Sequence, residues 1–159
     1  MSRKELTAHI GDIKIGRKDD ILHALLGSCV GIAILWPERG VYGLAHCLLA
    51  ENPKKTFEIS GRYVDQAITS LLILMRVQEK AYPKIQAVIA GGGNMTLPAN
   101  SDPSKLVGTI NSEMAFRCLK ERKIKVIHSE IGGLIGRKIT VDCLTGEFKI
   151  RKIPRNIAA

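Results

Sequence analysis

The sequence predicts an α/β or α+β fold in which strands dominate, on three observations. Apolar residues alternate or run in short blocks through much of the first fifty positions, two later stretches carry them at helical spacing, and three further strand-like runs close the chain. At 159 residues the length suits one domain, 1–159, around one apolar core.

The first strand is expected over Ile21–Leu26. The second ends at Trp36 and carries Val30, Ile32 and Ile34 on one face, and the third runs from Val41 to Leu49. Pro37-Glu38-Arg39-Gly40 supplies the corner between the second and third, with proline pre-set for the turn and glycine free at positive φ, so the two form a hairpin. Residues Glu51 to Gly61 are polar, contain Pro53 and Gly61, and read as a loop or lid. From Arg62 to Lys80 the positions Val64, Ala67, Ile68, Leu71, Leu72 and Met75 form one helical stripe. Lys84 to Ala90 is a buried strand, and Gly91-Gly92-Gly93-Asn94 marks a sharp turn or a close approach of the backbone to something else. A second helix, Leu106 to Lys120, brings Ile110, Met114, Ala115, Cys118 and Leu119 to one side. Strands at Lys125–Ile131, Lys138–Cys143 and Glu147–Ile153 follow, the last two joined at Leu144-Thr145-Gly146.

With 45% hydrophobic, 25% charged and 4% aromatic residues, the composition is that of a globular protein. The most apolar run, Leu71 to Met75, stops at Arg76, so no membrane span is expected, and the N-terminal segment lacks the apolar core of a secretion signal. The expected address is cytoplasmic. Cys29, Cys47, Cys118 and Cys143 are scattered without a CxxC pair, so they read as reduced thiols and suggest no metal site. The net charge of +9 admits nucleic acid, anionic lipid or an acidic protein as partner, or simply a solvated surface. No nucleic-acid recognition motif converts that charge into RNA or DNA binding.

The chemistry concentrates at Leu26-Gly27-Ser28-Cys29-Val30-Gly31, where a cysteine follows a Gly-Ser step between two strand-like runs. A turned backbone there can aim successive N–H groups at one point, as an oxyanion hole requires. A core thiol is the competing reading. Folding the hairpin brings the Cys29 end of one strand beside the His46 end of the other. If paired residue numbers sum to 75, Cys29 and His46 are opposite each other, and if to 77, they are diagonal neighbours on one face within roughly 8 Å. A sum of 76 puts His46 on the wrong face. A free thiol titrates near pH 8.5, so an adjacent imidazole is needed to take its proton, giving a thiolate–imidazolium pair, and to return one to a leaving group. Without that neighbour His46 would read as a hydrogen-bonded core histidine.

The run Leu26 to Gly31, followed by Gly43-Leu44-Ala45-His46, resembles the chemoreceptor glutamine deamidase family CheD. The resemblance continues through Ile89-Ala90-Gly91-Gly92-Gly93-Asn94-Met95, Val107-Gly108 to Asn111, and Gly132-Gly133 with Gly136-Arg137. It implies hydrolysis of glutamine carboxamides in the cytoplasmic helices of methyl-accepting chemotaxis receptors, with Cys29 as nucleophile, His46 as general base and no metal or organic cofactor. It also implies a layered α/β/α sandwich with mixed sheets, similar to deamidating-toxin catalytic domains, and the phosphatase CheC as a possible partner. In one respect the chain departs from the pattern: the family's third catalytic position is a threonine five or six residues before the cysteine, where this chain has Ala24 and His23. Three readings stay open: His23 orients the site, a group from elsewhere does, or the protein is a weakly active or noncatalytic binder of receptors or CheC. Another thiol hydrolase acting on peptides or small amides is the remaining rival.

Overall fold

The computed structural model describes residues 2–155; the ends of the expected 1–159 domain, Met1 and residues 156–159, lie outside the described residues. Nine strands and two α-helices follow in the order β1 (Glu5–Thr7), β2 (Ile13–Arg17), β3 (Ile21–Leu26), β4 (Val30–Trp36), β5 (Val41–Cys47), α1 (Val64–Leu74), β6 (Gln86–Gly91), α2 (Val107–Glu121), β7 (Lys125–Ile131), β8 (Ile135–Asp142) and β9 (Glu147–Pro154). They build two mixed sheets. One has the order β1-β3-β8-β9, with β1 parallel to β3, and the other β2-β5-β4-β6-β7, with β6 parallel to β7. The mixed α+β class is the one observed. Its layers run four-stranded sheet, five-stranded sheet, helices, so one outer layer is a sheet where the family resemblance implied helices.

Strand β4 shows why the layers stack this way. All seven of its residues are buried, because Val30, Ile32, Ile34 and Trp36 join the apolar cluster against α1 and α2, while Ala33 and Leu35 join a second cluster against β3 and β8. A strand covered on both faces needs a near-continuous apolar run, and Val-Gly-Ile-Ala-Ile-Leu-Trp is one. Each fully buried large side chain here, such as Ile32 or Leu71, contributes about 1.5–3 kcal/mol relative to exposure.

Strands β1 and β2 are absent from the sequence reading. The first spans only three residues, too few for any periodicity, and it is held by parallel pairing of Glu5, Leu6 and Thr7 with Ile21, Leu22 and His23 of β3. Helix α1 is shorter than expected. Arg76 takes the left-handed conformation (φ 59°), so its N–H reaches the Ile73 carbonyl and that of Val77 reaches Leu72, closing the helix in a motif that usually takes glycine. An arginine there carries no stop signal that a sequence reading can use. On α2 the buried face is Gly108, Asn111, Ser112, Ala115 and Leu119, whereas Ile110 is exposed and Cys118 only half-buried. Met114 and Cys118 pack against the core beside Ala115 and Leu119, so the apolar stripe found the face but not its two polar members, Asn111 Nδ2 donating to the Leu48 carbonyl (2.9 Å) and Ser112 Oγ to that of Gly108 (2.8 Å).

Candidate active site

The β4–β5 hairpin pairs Val30 with Cys47 and Gly31 with His46, so paired residue numbers sum to 77. This is the register that makes Cys29 and His46 diagonal neighbours on one face. Both line a cavity of about 470 Å³ together with Ser28, Thr7, Ala8 and Met95. They are 7% and 4% exposed, buried enough to be shielded yet open to the cavity.

The backbone of His46 is clamped on both sides, its N–H donating to the Asp12 carbonyl (3.0 Å) and its carbonyl accepting from the Gly11 N–H (2.8 Å). Its ring is set by a different partner: Nδ1 lies 2.8 Å from the Ala8 carbonyl oxygen. A carbonyl can only accept, so Nδ1 carries the hydrogen and the neutral ring keeps its lone pair on Nε2. Burial pushes the Cys29 thiol up and the His46 imidazole down, against an opposing lift from the Ala8 hydrogen bond. Both shifts favour the uncharged forms, thiol and neutral imidazole.

The Cys29 corner is fixed through its carbonyls. Gly92 N–H donates to Cys29 O and Gly93 N–H to Gly27 O, both at 2.9 Å. Among the described residues, the N–H groups of Ser28 and Cys29 take no part in the backbone bonds that hold this corner. The glycine run after β6 makes the approach possible: Gly91 and Gly92 both have positive φ, and a Cβ on Gly91 would overlap the Cys29 carbonyl oxygen. Gly27, by contrast, does not have positive φ; it is small because Met95 packs against it. Gly108 lies against the Gly92 backbone, and Arg137 Nη1 donates to the carbonyls of Gly91 (3.1 Å) and Gly132 (3.0 Å). Motif residues scattered from Gly91 to Arg137 thus converge on the loop that carries Cys29.

His23 lies on the outward side of β3, where its Nε2 is 3.0 Å from Thr7 Oγ1 and 3.9 Å from Glu5 Oε1. The other candidates come together: Cys29, His46 and Ser28 share the cavity, and His23 reaches it only through Thr7. Two residues escaped the sequence reading, Thr7 and Ala8. Both sit on or beside β1, whose position depends on a parallel pairing across sixteen residues that no local pattern announces. Ala24, at the other candidate threonine position, is buried in the apolar cluster between the sheets.

The family model described as CheD chemotactic sensory transduction matches residues 48–152. The chain belongs to the CheD family. A Ruegeria sp. (strain TM1040) protein named probable chemoreceptor glutamine deamidase CheD 2 is 39% identical over 95% of this chain and 93% of its own length. Proteins named probable chemoreceptor glutamine deamidase CheD from Bdellovibrio bacteriovorus and Thermococcus kodakarensis are 33% and 32% identical, covering 92% and 94% of this chain and 93% of each relative. Among solved structures, the hypothetical protein YfiH of Bacillus licheniformis superposes with a TM-score of 0.47 at 15% identity, over 77% of this chain and 51% of that one. The CheD family model begins two positions after His46, so the relatives aligned over more than nine-tenths of the chain are the comparisons that span the Cys29 corner. No described helix is long and apolar enough to cross a membrane.

Proposed function

We propose that this CheD-family chain hydrolyses glutamine side-chain amides in the cytoplasmic helices of chemoreceptors, giving glutamate and ammonia through a thioester on Cys29. The observation that carries the reading is the hydrogen bond from His46 Nδ1 to the Ala8 carbonyl, which leaves Nε2 as the basic nitrogen of a residue lining the cavity that Cys29 shares. The names of the relatives, chemoreceptor glutamine deamidases, supply the substrate class.

In the first half-reaction His46 Nε2 takes the thiol proton as Sγ attacks the amide carbon, and the N–H groups of Ser28 and Cys29 receive the developing oxyanion. Collapse breaks the C–N bond, and the imidazolium gives its proton to the departing nitrogen, which leaves as ammonia. In the second half, water attacks the thioester carbon, His46 accepts its proton and returns it to Sγ, and glutamate departs. A neutral resting pair suits this sequence, because the proton moves only as the new bond forms. The Ala8 carbonyl fills the orienting role expected of the family threonine, while His23 steadies Thr7 at the cavity wall. Ile10 and Leu25, 58% and 60% exposed, stand at the same cavity and offer apolar footing for a receptor helix or for CheC.

Mass spectrometry of receptor cytoplasmic fragments tests the proposal. Each conversion adds about one dalton, Cys29→Ala should stop conversion without unfolding the protein, and Cys118→Ala should leave the rate per folded molecule near normal. Undiminished conversion by Cys29→Ala would end the thioester mechanism.

A further inference from the structure

Strand β4 has a second functional-looking end. Cys29 precedes its first residue and Trp36 is its last, so the two lie about 23 Å apart at the usual rise of about 3.3 Å per residue. Around Trp36 opens a separate cavity of about 420 Å³, walled by Arg17, Arg39, Arg76 and Lys80. The ion pairs formed by lysine and arginine among the described residues use Arg3, Lys55 and Lys84, so none of these four cations has a carboxylate partner there. Their carrier elements are unrelated, namely the end of β2, the β4–β5 turn, the closure of α1 and the 3₁₀ segment Glu79–Lys84, yet all four reach one concavity.

Two details distinguish this place from a solvated basic surface. The Arg39 guanidinium lies 5.6 Å from the centre of the Trp36 ring, so less freedom remains to be lost on binding. The Trp36 indole N–H, on a side chain 8% exposed, has no acceptor among the described residues, which is uncommon for a buried donor.

We propose that the Trp36 cavity is a binding site for a small phosphate-bearing anion of the diphosphate class. Guanidinium forks match phosphate oxygens in pairs, and a phosphoryl group carries about −1.5 to −2 at neutral pH, so four cations balance two such groups. The cavity volume lies within the range of small-molecule sites, about 300–1,000 Å³. The site stands apart from the Cys29 cavity and from deamidation.

Trp36 is the chain's one tryptophan, so its fluorescence reads the site directly. Titration of the full-length protein with inorganic pyrophosphate at constant ionic strength should give a saturable change with a midpoint below about 1 mM, paralleled by heat in calorimetry. Because Arg39 touches the indole, the deciding variant is Arg76→Gln with Lys80→Gln, two exposed changes that leave that contact; it should weaken binding at least tenfold. Sodium sulfate at matched ionic strength should not reproduce the curve. An unsaturable response, an equal response to sulfate, or unchanged affinity in the double variant would overturn the proposal.

Discussion

The two walls of the Cys29 cavity are built in different ways. One wall is the β4–β5 hairpin, closed by a four-residue corner, and it brings Cys29 and His46 onto one face through contacts between near neighbours in sequence. The other is the segment Thr7–Ile10 at the end of β1, which arrives by parallel pairing with β3 and contributes the carbonyl that fixes the His46 tautomer. In the proposed mechanism the hairpin wall supplies the groups that react, and the β1 wall supplies the groups that aim them. Reactive residues must be of particular chemical types, so they stand out in a sequence. A backbone carbonyl can come from any residue, and here it comes from an alanine.

The largest effect on this division should come from the hairpin wall. His46→Ala is expected to slow deamidation about 100- to 10,000-fold, the usual worth of general acid–base catalysis. Burial lowers the His46 pKa, and the neutral ring is the active base, so the acid limb of the wild-type rate should fall below the pH near 6.5 where an ordinary imidazole titrates. That limb should vanish in the variant. An unchanged pH profile in His46→Ala would make His46 a structural residue and dissolve the contrast between the walls.

A smaller loss is expected from the aiming wall. Ala8→Pro removes the N–H that donates to His23 O (2.8 Å) and displaces the Ala8 carbonyl, so activity should drop about 10- to 100-fold, the scale of a misplaced catalytic group. The rate should fall in kcat rather than in KM, with thermal stability less affected than turnover. Full activity with a displaced carbonyl would show that His46 needs no orienter from β1.

The smallest effects should come from the pair behind that wall. Thr7→Val and His23→Ala each remove the same hydrogen bond, worth about 0.5–1.5 kcal/mol, so each should slow conversion by no more than about tenfold. The double variant should match the singles, because one interaction is lost once. A loss in His23→Ala as large as in His46→Ala would place His23 in the mechanism itself.

Legibility in the sequence follows the same division. The hairpin, its Pro37–Gly40 corner and the strands around it were readable because turn chemistry and alternation are local. Of the three possible registers, only the fold selected the sum of 77, since one residue of slip changes nothing in the sequence pattern. Cys29 and His46 stand out in the sequence by residue type, and the fold brings both to one cavity. Thr7 and Ala8 do not stand out, because a three-residue strand has no period and its partner lies sixteen residues away. The end of α1 was also obscure, for Arg76 takes a left-handed conformation that glycine normally signals, whereas α2 ends at Glu121, one residue past the reading. The glycine run at Gly91 announced a close approach but not its target, which proved to be the carbonyl of Cys29.

In the proposed mechanism His46 waits as a neutral base with its hydrogen on Nδ1, held there by Ala8. Nitrogen-15 NMR of the imidazole rings, with His46 assigned by comparison with His46→Ala, reads this state directly. The expected result is a neutral Nδ1–H tautomer for His46 at pH 7, retained in Cys29→Ala. A hydrogen on Nε2, or an imidazolium at that pH, would contradict it.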